Sequence, residues 1–404
     1  MIGDELLRQL ALEHGTPVYV LELDRVMAQV DRLTDFDVVR YAQKAHSGLA
    51  LLTRLAERGL AVDATSGLEI ERALEAGFAP ERIELATDVL DRQTLAAVAR
   101  HGVRVNVGSA DLLQPLSEVA RSKECTLRIN PGFGHGHDRR VTTGGPSSKH
   151  GIWHSELGAT VQRAHELGLE VTGLHLHIGS GVALDRLEAT IDAMESLLLA
   201  APPSVRRLSA GGGLSIPYRA DDREFPIERY GSAWRRATER WQRRTGRELE
   251  LEVEPGRYLV AQAGTLITEV RATKQTPDWD WVLVDAGFCT LARPMLYGAE
   301  HRIEALGRRS EPAFGQVVAG PLCEAGDVLT QERSGEPRPI DLPRVRPGDL
   351  LAIRDVGAYG LSMASNYNGF PLPPEVLIEG GIPRLVRRRQ TLDDLLAPER
   401  DLTP

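Results

Sequence analysis

The sequence predicts an α/β domain joined to an all-β domain: a (β/α)8 barrel of the TIM type, then a C-terminal β-barrel or sandwich. Two observations carry this. Over the first two-thirds of the chain, short apolar strand-like runs alternate with helical periodicities eight times, the count of a closed parallel barrel. After Ala263 the runs follow one another without helices, separated by Gly and Pro clusters. On pattern alone, a doubly wound open sheet is the alternative for the first part.

Taken in order, the barrel strands are expected at Val38–Tyr41, Ala61–Ala64, Ile83–Ala86, Val103–Val107, Thr126–Ile129, Val171–His177, Val205–Ala210 and Leu249–Val253. Helices are expected between them, among them Gly48–Arg58, Leu68–Ala76, Arg92–His101, Leu157–Leu167 and Leu184–Leu199. Strands of the second domain are expected at Trp281–Asp285, Gln316–Ala319, Leu350–Arg354, Glu375–Ile378 and Pro383–Val386. The early run Thr16–Leu21 precedes the first barrel strand and is assigned to that second domain. The boundaries that follow are 25–265 for the barrel, with 1–24 and 266–404 forming the β domain. A long glycine-rich segment from Asn130 to Gly151 fits neither pattern and reads as a lid or binding loop.

Composition narrows the function classes. The chain has 404 residues, 42% hydrophobic and 26% charged, which suits a globular protein with a sizeable core. Its net charge of −9 argues against nucleic acid, which would want a basic face. Cys125, Cys289 and Cys323 are the three cysteines, odd in number and widely spaced. They suit neither a disulfide framework nor a zinc site, and a reducing cytoplasm is the simplest setting. A metal site at His135, His137 and Asp138 is the alternative reading of the glycine-rich loop, but that spacing matches no helix face or zinc pattern well, so no metal is expected. No apolar run approaches the length of a membrane helix.

The ends of the barrel strands are where catalysis is expected. They carry Lys44, Asp63 with Ser66, Asn130, His177, Gly211-Gly212-Gly213 and Glu254-Pro-Gly256-Arg257. Singly, each has a bland reading: a surface lysine, a helix cap at Ser66, a satisfied histidine, a turn. Together they form a chemistry. A lysine amine can hold an aldehyde as a Schiff base. Three glycines after strand seven let backbone N–H groups approach a phosphate, to which Ser180 adds a hydroxyl. Glu254 could keep a pyridine nitrogen protonated, and His177 could stack on the ring. The cofactor these residues describe is pyridoxal 5'-phosphate.

The β domain holds a second set. In Gly320-Pro-Leu-Cys323-Glu324, Cys323 could be a small core hydrophobe. A neighbouring carboxylate fits that poorly; as a pair, the thiol would protonate a carbanion and Glu324 would bind an ammonium. Arg293 and Tyr297 offer a guanidinium fork and a hydroxyl to a carboxylate, and Tyr359 could reach phosphate or substrate.

From about Thr16 to Leu396 these strings resemble the fold-type III pyridoxal-phosphate decarboxylases, and specifically the diaminopimelate decarboxylase family. The most specific pieces are Phe133-Gly-His135-Gly-His137, Ser148-Lys-His150-Gly-Ile-Trp153, His175-Leu-His177-Ile-Gly-Ser-Gly181, Glu254-Pro-Gly-Arg257 and Gly320-Pro-Leu-Cys323-Glu324. Ser365-Asn-Tyr367-Asn368 and Pro374-Glu-Val-Leu377 complete the set. His46, Gly181 and Cys289 depart from many relatives.

The resemblance implies decarboxylation of meso-2,6-diaminopimelate to L-lysine and carbon dioxide, the last step of lysine synthesis. It makes Lys44 the cofactor lysine and Cys323 the proton donor. Arg257, Arg293, Tyr297, Glu324 and Tyr359 fall to the substrate, Tyr359 and Arg257 sharing the cofactor. It also implies a cytoplasmic homodimer whose β domain completes the neighbour's site. A racemase of this fold would want a cation at the pyridine nitrogen, so Glu254 favours decarboxylation. A decarboxylase for another amino acid would leave the histidine-rich loop, Arg293 and Glu324 unexplained, and a non-catalytic cofactor binder would leave the β domain with Cys323-Glu324 unexplained.

Overall fold

The computed structural model describes residues 2–136, 139–219, 221–308, 310–400 and 402 of the chain. His137 and Asp138, which the sequence places in the histidine-rich loop, lie outside the described residues. The contacts divide the chain into two units. One runs from Ala28 to Ile216 and from Arg223 to Tyr258; the other takes residues up to Met27, the short excursion Pro217–Asp222, and everything from Leu259 on.

The first unit is a closed parallel barrel of eight strands. They are Val38–Ala42, Ala61–Ala64, Ile83–Thr87, Arg104–Val107, Glu124–Asn130, Glu170–Leu176, Arg207–Ser209 and Glu250–Val253. Each pairs with the next, and Glu252 opposite Val38 closes the ring. Neighbouring strands read as near-continuous apolar runs because helices cover the outside, as parallel sheets require. The helices start on local signals. Ser66 accepts a hydrogen bond from Glu69 N at 3.2 Å and caps Gly67–Glu75. Asp91 does the same for Thr94 N at 2.7 Å, and Gly102 in the left-handed region ends that helix. The helix Ile227–Thr245 buries one stripe, Tyr230, Trp234 and Trp241, whose rings meet edge to face at 6.4 and 6.1 Å.

Inside the barrel the side chains are charged rather than aliphatic. Arg40, 2% exposed, donates to Glu252 at 3.0 Å and lies 3.3 Å from Glu84. Arg104 and the Thr126 hydroxyl also donate to Glu84, at 3.0 and 2.6 Å. Burial opposes the charge on Glu84, but Arg40 and Arg104 outweigh it and hold the carboxyl below its ordinary range. This plug fills the barrel beneath the strand ends and fixes where the next inward layer sits.

The second unit is a nine-stranded mixed sheet among the described residues. Its hub is the twelve-residue strand Gly264–Gln275. It pairs antiparallel with Val18–Glu22, Leu350–Arg354 and Asp280–Val284. Val18–Glu22 also runs parallel to Glu375–Glu379, so the early strand does belong to this unit. The sequence reading assigns no strand at the hub. Its first five residues are all buried while its last five are mostly exposed, so no period-2 alternation runs through it. Among the described residues no helix is long and apolar enough to cross a membrane.

Candidate active site

Lys44 follows the first barrel strand in a short 3-10 turn, Gln43–Ala45. Its Nζ donates to Asp63 Oδ2 at 2.6 Å. The two partners differ sharply in exposure: the Asp63 side chain is 2% exposed and that of Lys44 43%. Burial raises the Asp63 carboxyl to about 6, partly countered by the Lys44 ammonium. The pair therefore presents an amine toward the barrel mouth on a buried carboxylate.

Glu254 follows the eighth strand and lies one inward layer above Glu252. Ser209 donates to its Oε1 at 2.7 Å, and His175 Nε2 lies 3.0 Å from Oε2. Burial opposes its charge, yet His175, the Ser209 hydroxyl and Lys44 more than compensate and hold it well below the usual carboxylate range. The His175 ring lies 6.4 Å from that of His177, nearly parallel at 16°. His177 accepts from Gly212 N at 3.1 Å. Burial, Arg128 and His175 push His177 well below its ordinary value, so it presents a neutral ring face. His175 Nδ1 is buried without a hydrogen-bond partner among the described residues.

The three glycines after strand seven are required by space. A Cβ at Gly211 would lie 2.0 Å from the Leu176 oxygen, at Gly212 2.4 Å from the Glu254 oxygen, and at Gly213 2.5 Å from the Gly179 oxygen. Gly211 and Gly213 also have φ of +65° and +98°. Gly256 is closely packed too, with Ala45 Cβ 3.1 Å from where its Cβ would be. Arg257, 6% exposed, donates to Ser180 Oγ at 3.1 Å and so stands beside the same cradle. Lys44, Asp63, His177, Ser180, Gly211–Gly213, Glu254, Gly256 and Arg257 thus share the C-terminal end of one barrel.

The glycine-rich loop is fastened rather than loose where it is described. Asn130 donates to the carbonyls of Gly145 and His150 at 3.0 and 3.3 Å, and accepts from Gly132 N and Gly145 N at 3.1 and 2.8 Å. Ser180 N donates to Val141 O, and Thr143 Oγ1 to His177 O, each at 3.1 Å. The loop is therefore a brace for the His177–Ser180 segment as well as a cover. Asp88, which the sequence reading did not single out, holds the far end: it contacts His150 Nδ1 and accepts from Gly151 N at 3.2 Å. Arg128 was missed as well; it carries charge among Asp88, Glu254 and Asp63. Neither position has a local spacing signal.

In the β unit, Arg293 and Tyr297 open and close one short helix, Arg293–Tyr297. Cys323 and Glu324 are exposed, which removes the core-hydrophobe reading of the thiol. Cys323 N donates to Asn368 Oδ1 at 3.1 Å. Their loop hangs on Asp327, another residue the sequence reading missed. Its carboxylate accepts from Leu322 N at 2.8 Å and Phe288 N at 2.6 Å. Gly287 and Gly320 let the backbone close on it, since a Cβ at either would come within 2.5 Å of its oxygens. Tyr359 sits in the left-handed region at φ +60°. Cys289 is buried, and burial, with Asp327, pushes its thiol up to about 11.

Comparison with known proteins bears on this arrangement. Residues 22–261 match the model of the pyridoxal-dependent decarboxylase family, pyridoxal binding domain. A diaminopimelate decarboxylase of Streptomyces coelicolor is 47% identical over 402 residues, 98% of this chain and 91% of that protein. One from Escherichia coli K12 is 46% identical, over 99% of this chain and 97% of that protein. A crystal structure of a diaminopimelate decarboxylase superposes with a TM-score of 0.95 at 45% identity, covering 98% of this chain and 96% of that one. The Helicobacter pylori enzyme complexed with L-lysine gives 0.88 at 29% identity, covering 98% and 100%.

Proposed function

We propose that this chain, which belongs to the diaminopimelate decarboxylase family of pyridoxal-dependent decarboxylases, converts meso-2,6-diaminopimelate to L-lysine and carbon dioxide, closing lysine synthesis. The residues at the barrel mouth fit pyridoxal phosphate. The glycine cradle leaves room for a phosphate where any Cβ would collide with a carbonyl, with Ser180 and Arg257 beside it. When bound, the cofactor supplies an electron sink for the pair left by a departing carboxylate.

The observation that carries the reading is Glu254. It is buried yet held ionised, so it can keep a pyridine nitrogen protonated, as decarboxylation needs. Lys44 would hold the cofactor aldehyde, with Asp63 orienting the amine. His177 would cover one ring face, its neutrality avoiding charge against a cationic ring. Cys323 would deliver the proton to the α-carbon. Arg293 and Tyr297 would take the distal carboxylate, Arg257 and Tyr359 would share cofactor and substrate, and Glu324 would take the distal ammonium. A site with buried donors for that carboxylate discriminates against diamines lacking it. A homodimer is part of the proposal, and the exposure of Cys323 and Glu324 supports it: residues serving another copy would be exposed on their own chain.

The chain's lysines are Lys44, Lys123, Lys149 and Lys274, so reductive trapping of bound cofactor with borohydride gives a readable map. The pyridoxyl label is expected on the peptide containing Lys44; a label on another lysine overturns the assignment. Glu254→Gln should still take the label while turnover falls about 100-fold or more.

A further inference from the structure

We infer that Tyr218 and His301 are positioning residues that set the guanidinium of Arg293, and through it the preference for a substrate with a distal carboxylate. The inference rests on the proposed role of Arg293 and extends it. Arg293 is 1% exposed, a buried guanidinium. Its Nη1 lies 2.9 Å from His301 Nε2. An arginine can only donate, so that nitrogen accepts and carries no proton. The proton must then sit on Nδ1, which lies 2.9 Å from the Arg354 carbonyl oxygen and donates to it. His301 is thereby fixed as one neutral tautomer, anchored on the carbonyl of Arg354 at the end of the strand Leu350–Arg354 and aimed at the guanidinium.

Tyr218 holds the same group from a second direction. The Arg293 Cζ lies 4.8 Å from the centre of its ring, and the ring meets His301 edge-on at 5.5 Å and 80°. Tyr218 belongs to Pro217–Asp222, the short stretch that packs with the β unit although its flanks belong to the barrel unit. That excursion is itself pinned. Asp222 accepts from Tyr218 N and Arg219 N at 3.0 and 2.9 Å, and Arg219 pairs with Glu300, next to His301. A short chain excursion and a fixed tautomer converge on one guanidinium. Core packing alone would ask for neither an acceptor nitrogen nor an aromatic face.

The test compares kcat and KM for meso-diaminopimelate with decarboxylation of D-lysine, which has the reacting D-centre but lacks the distal carboxylate, in cofactor-loaded variants. His301→Leu should raise the KM for diaminopimelate about 10-fold or more with kcat nearly kept. Tyr218→Ala should raise it about 3- to 30-fold, and Tyr218→Phe, which keeps the ring, should restore it. The low rate with D-lysine should not fall in any of these. His301→Gln keeps an acceptor near the Nε2 position and should recover most of the loss, which keeps the test open should the leucine variant fold poorly. An unchanged KM in Tyr218→Ala and His301→Leu, with Arg293→Ala impaired, overturns this inference alone. Equal losses in Tyr218→Phe and Tyr218→Ala, or in His301→Gln and His301→Leu, also overturn it. If Arg293→Ala itself leaves discrimination intact, the proposed role of Arg293 falls first.

Discussion

Replacing Asp327 by Asn changes one oxygen for an amide and leaves every other atom of the loop in place. The native carboxylate is 3% exposed and accepts from two backbone donors, Leu322 N at 2.8 Å and Phe288 N at 2.6 Å. Asn keeps one acceptor and turns an NH2 toward the other donor. A hydrogen bond to a charged group contributes about 1.5–3 kcal/mol, and a stranded buried N–H costs about 1–3 kcal/mol more. Some of this is offset, because burial raises the Asp327 carboxyl and an amide carries no charge to bury. A net loss of about 2–3 kcal/mol in holding the Cys323–Glu324 loop lowers the equilibrium constant for the seated loop roughly 30- to 150-fold. The assay is steady-state kcat on diaminopimelate, beside the absorbance of bound cofactor, whose proposed contacts lie at the barrel mouth. The expected result is a kcat lower by about 10- to 100-fold at full cofactor occupancy. A kcat within twofold of the parent would refute the claim that Asp327 holds the loop.

Three further expectations follow from the barrel. Asp63 holds its proton more tightly folded than unfolded, so its ionisation costs stability that is absent below about 4 and grows as pH rises to about 6. Asp63→Asn should therefore stabilise the cofactor-free protein at neutral pH relative to the parent and abolish an inflection near pH 6 in cofactor uptake; an unchanged inflection would contradict it. Gly212→Ala places a Cβ 2.4 Å from the Glu254 oxygen and should cost roughly 1–3 kcal/mol in thermal unfolding, whereas Gly158→Ala, with open space around it, should be neutral or stabilising. Asn130→Ala strands Gly132 N and Gly145 N, so trypsin should cut faster at Arg140 and Lys149; equal cleavage would show that the loop does not depend on Asn130.

The barrel was legible because short buried strand runs alternate with helical periodicities eight times, and five of them lead into a residue too polar for a core: Lys44, Asp63, Asn130, His177 and Glu254. The strand Gly264–Gln275 was not legible, because it passes from full burial to exposure within one element. The residues that hold the site in place were the least legible. Asp88, Asp327 and Tyr218 act on groups far away in sequence, and His301, eight positions from Arg293, is fixed by the distant Arg354 carbonyl, so no spacing announces them. Asn130 was visible as a strand end, but its four bonds to the loop are a tertiary fact.

The most direct measurement incubates the cofactor-loaded protein with meso-, LL- and DD-diaminopimelate, L-ornithine, L-arginine, and L- and D-lysine, quantifying carbon dioxide and the amine product. The account predicts lysine and carbon dioxide from the meso isomer, with little from any substrate lacking the distal carboxylate. Turnover of ornithine or lysine in preference to diaminopimelate would contradict the substrate assignment, and no release of carbon dioxide from any of them would contradict the decarboxylase itself.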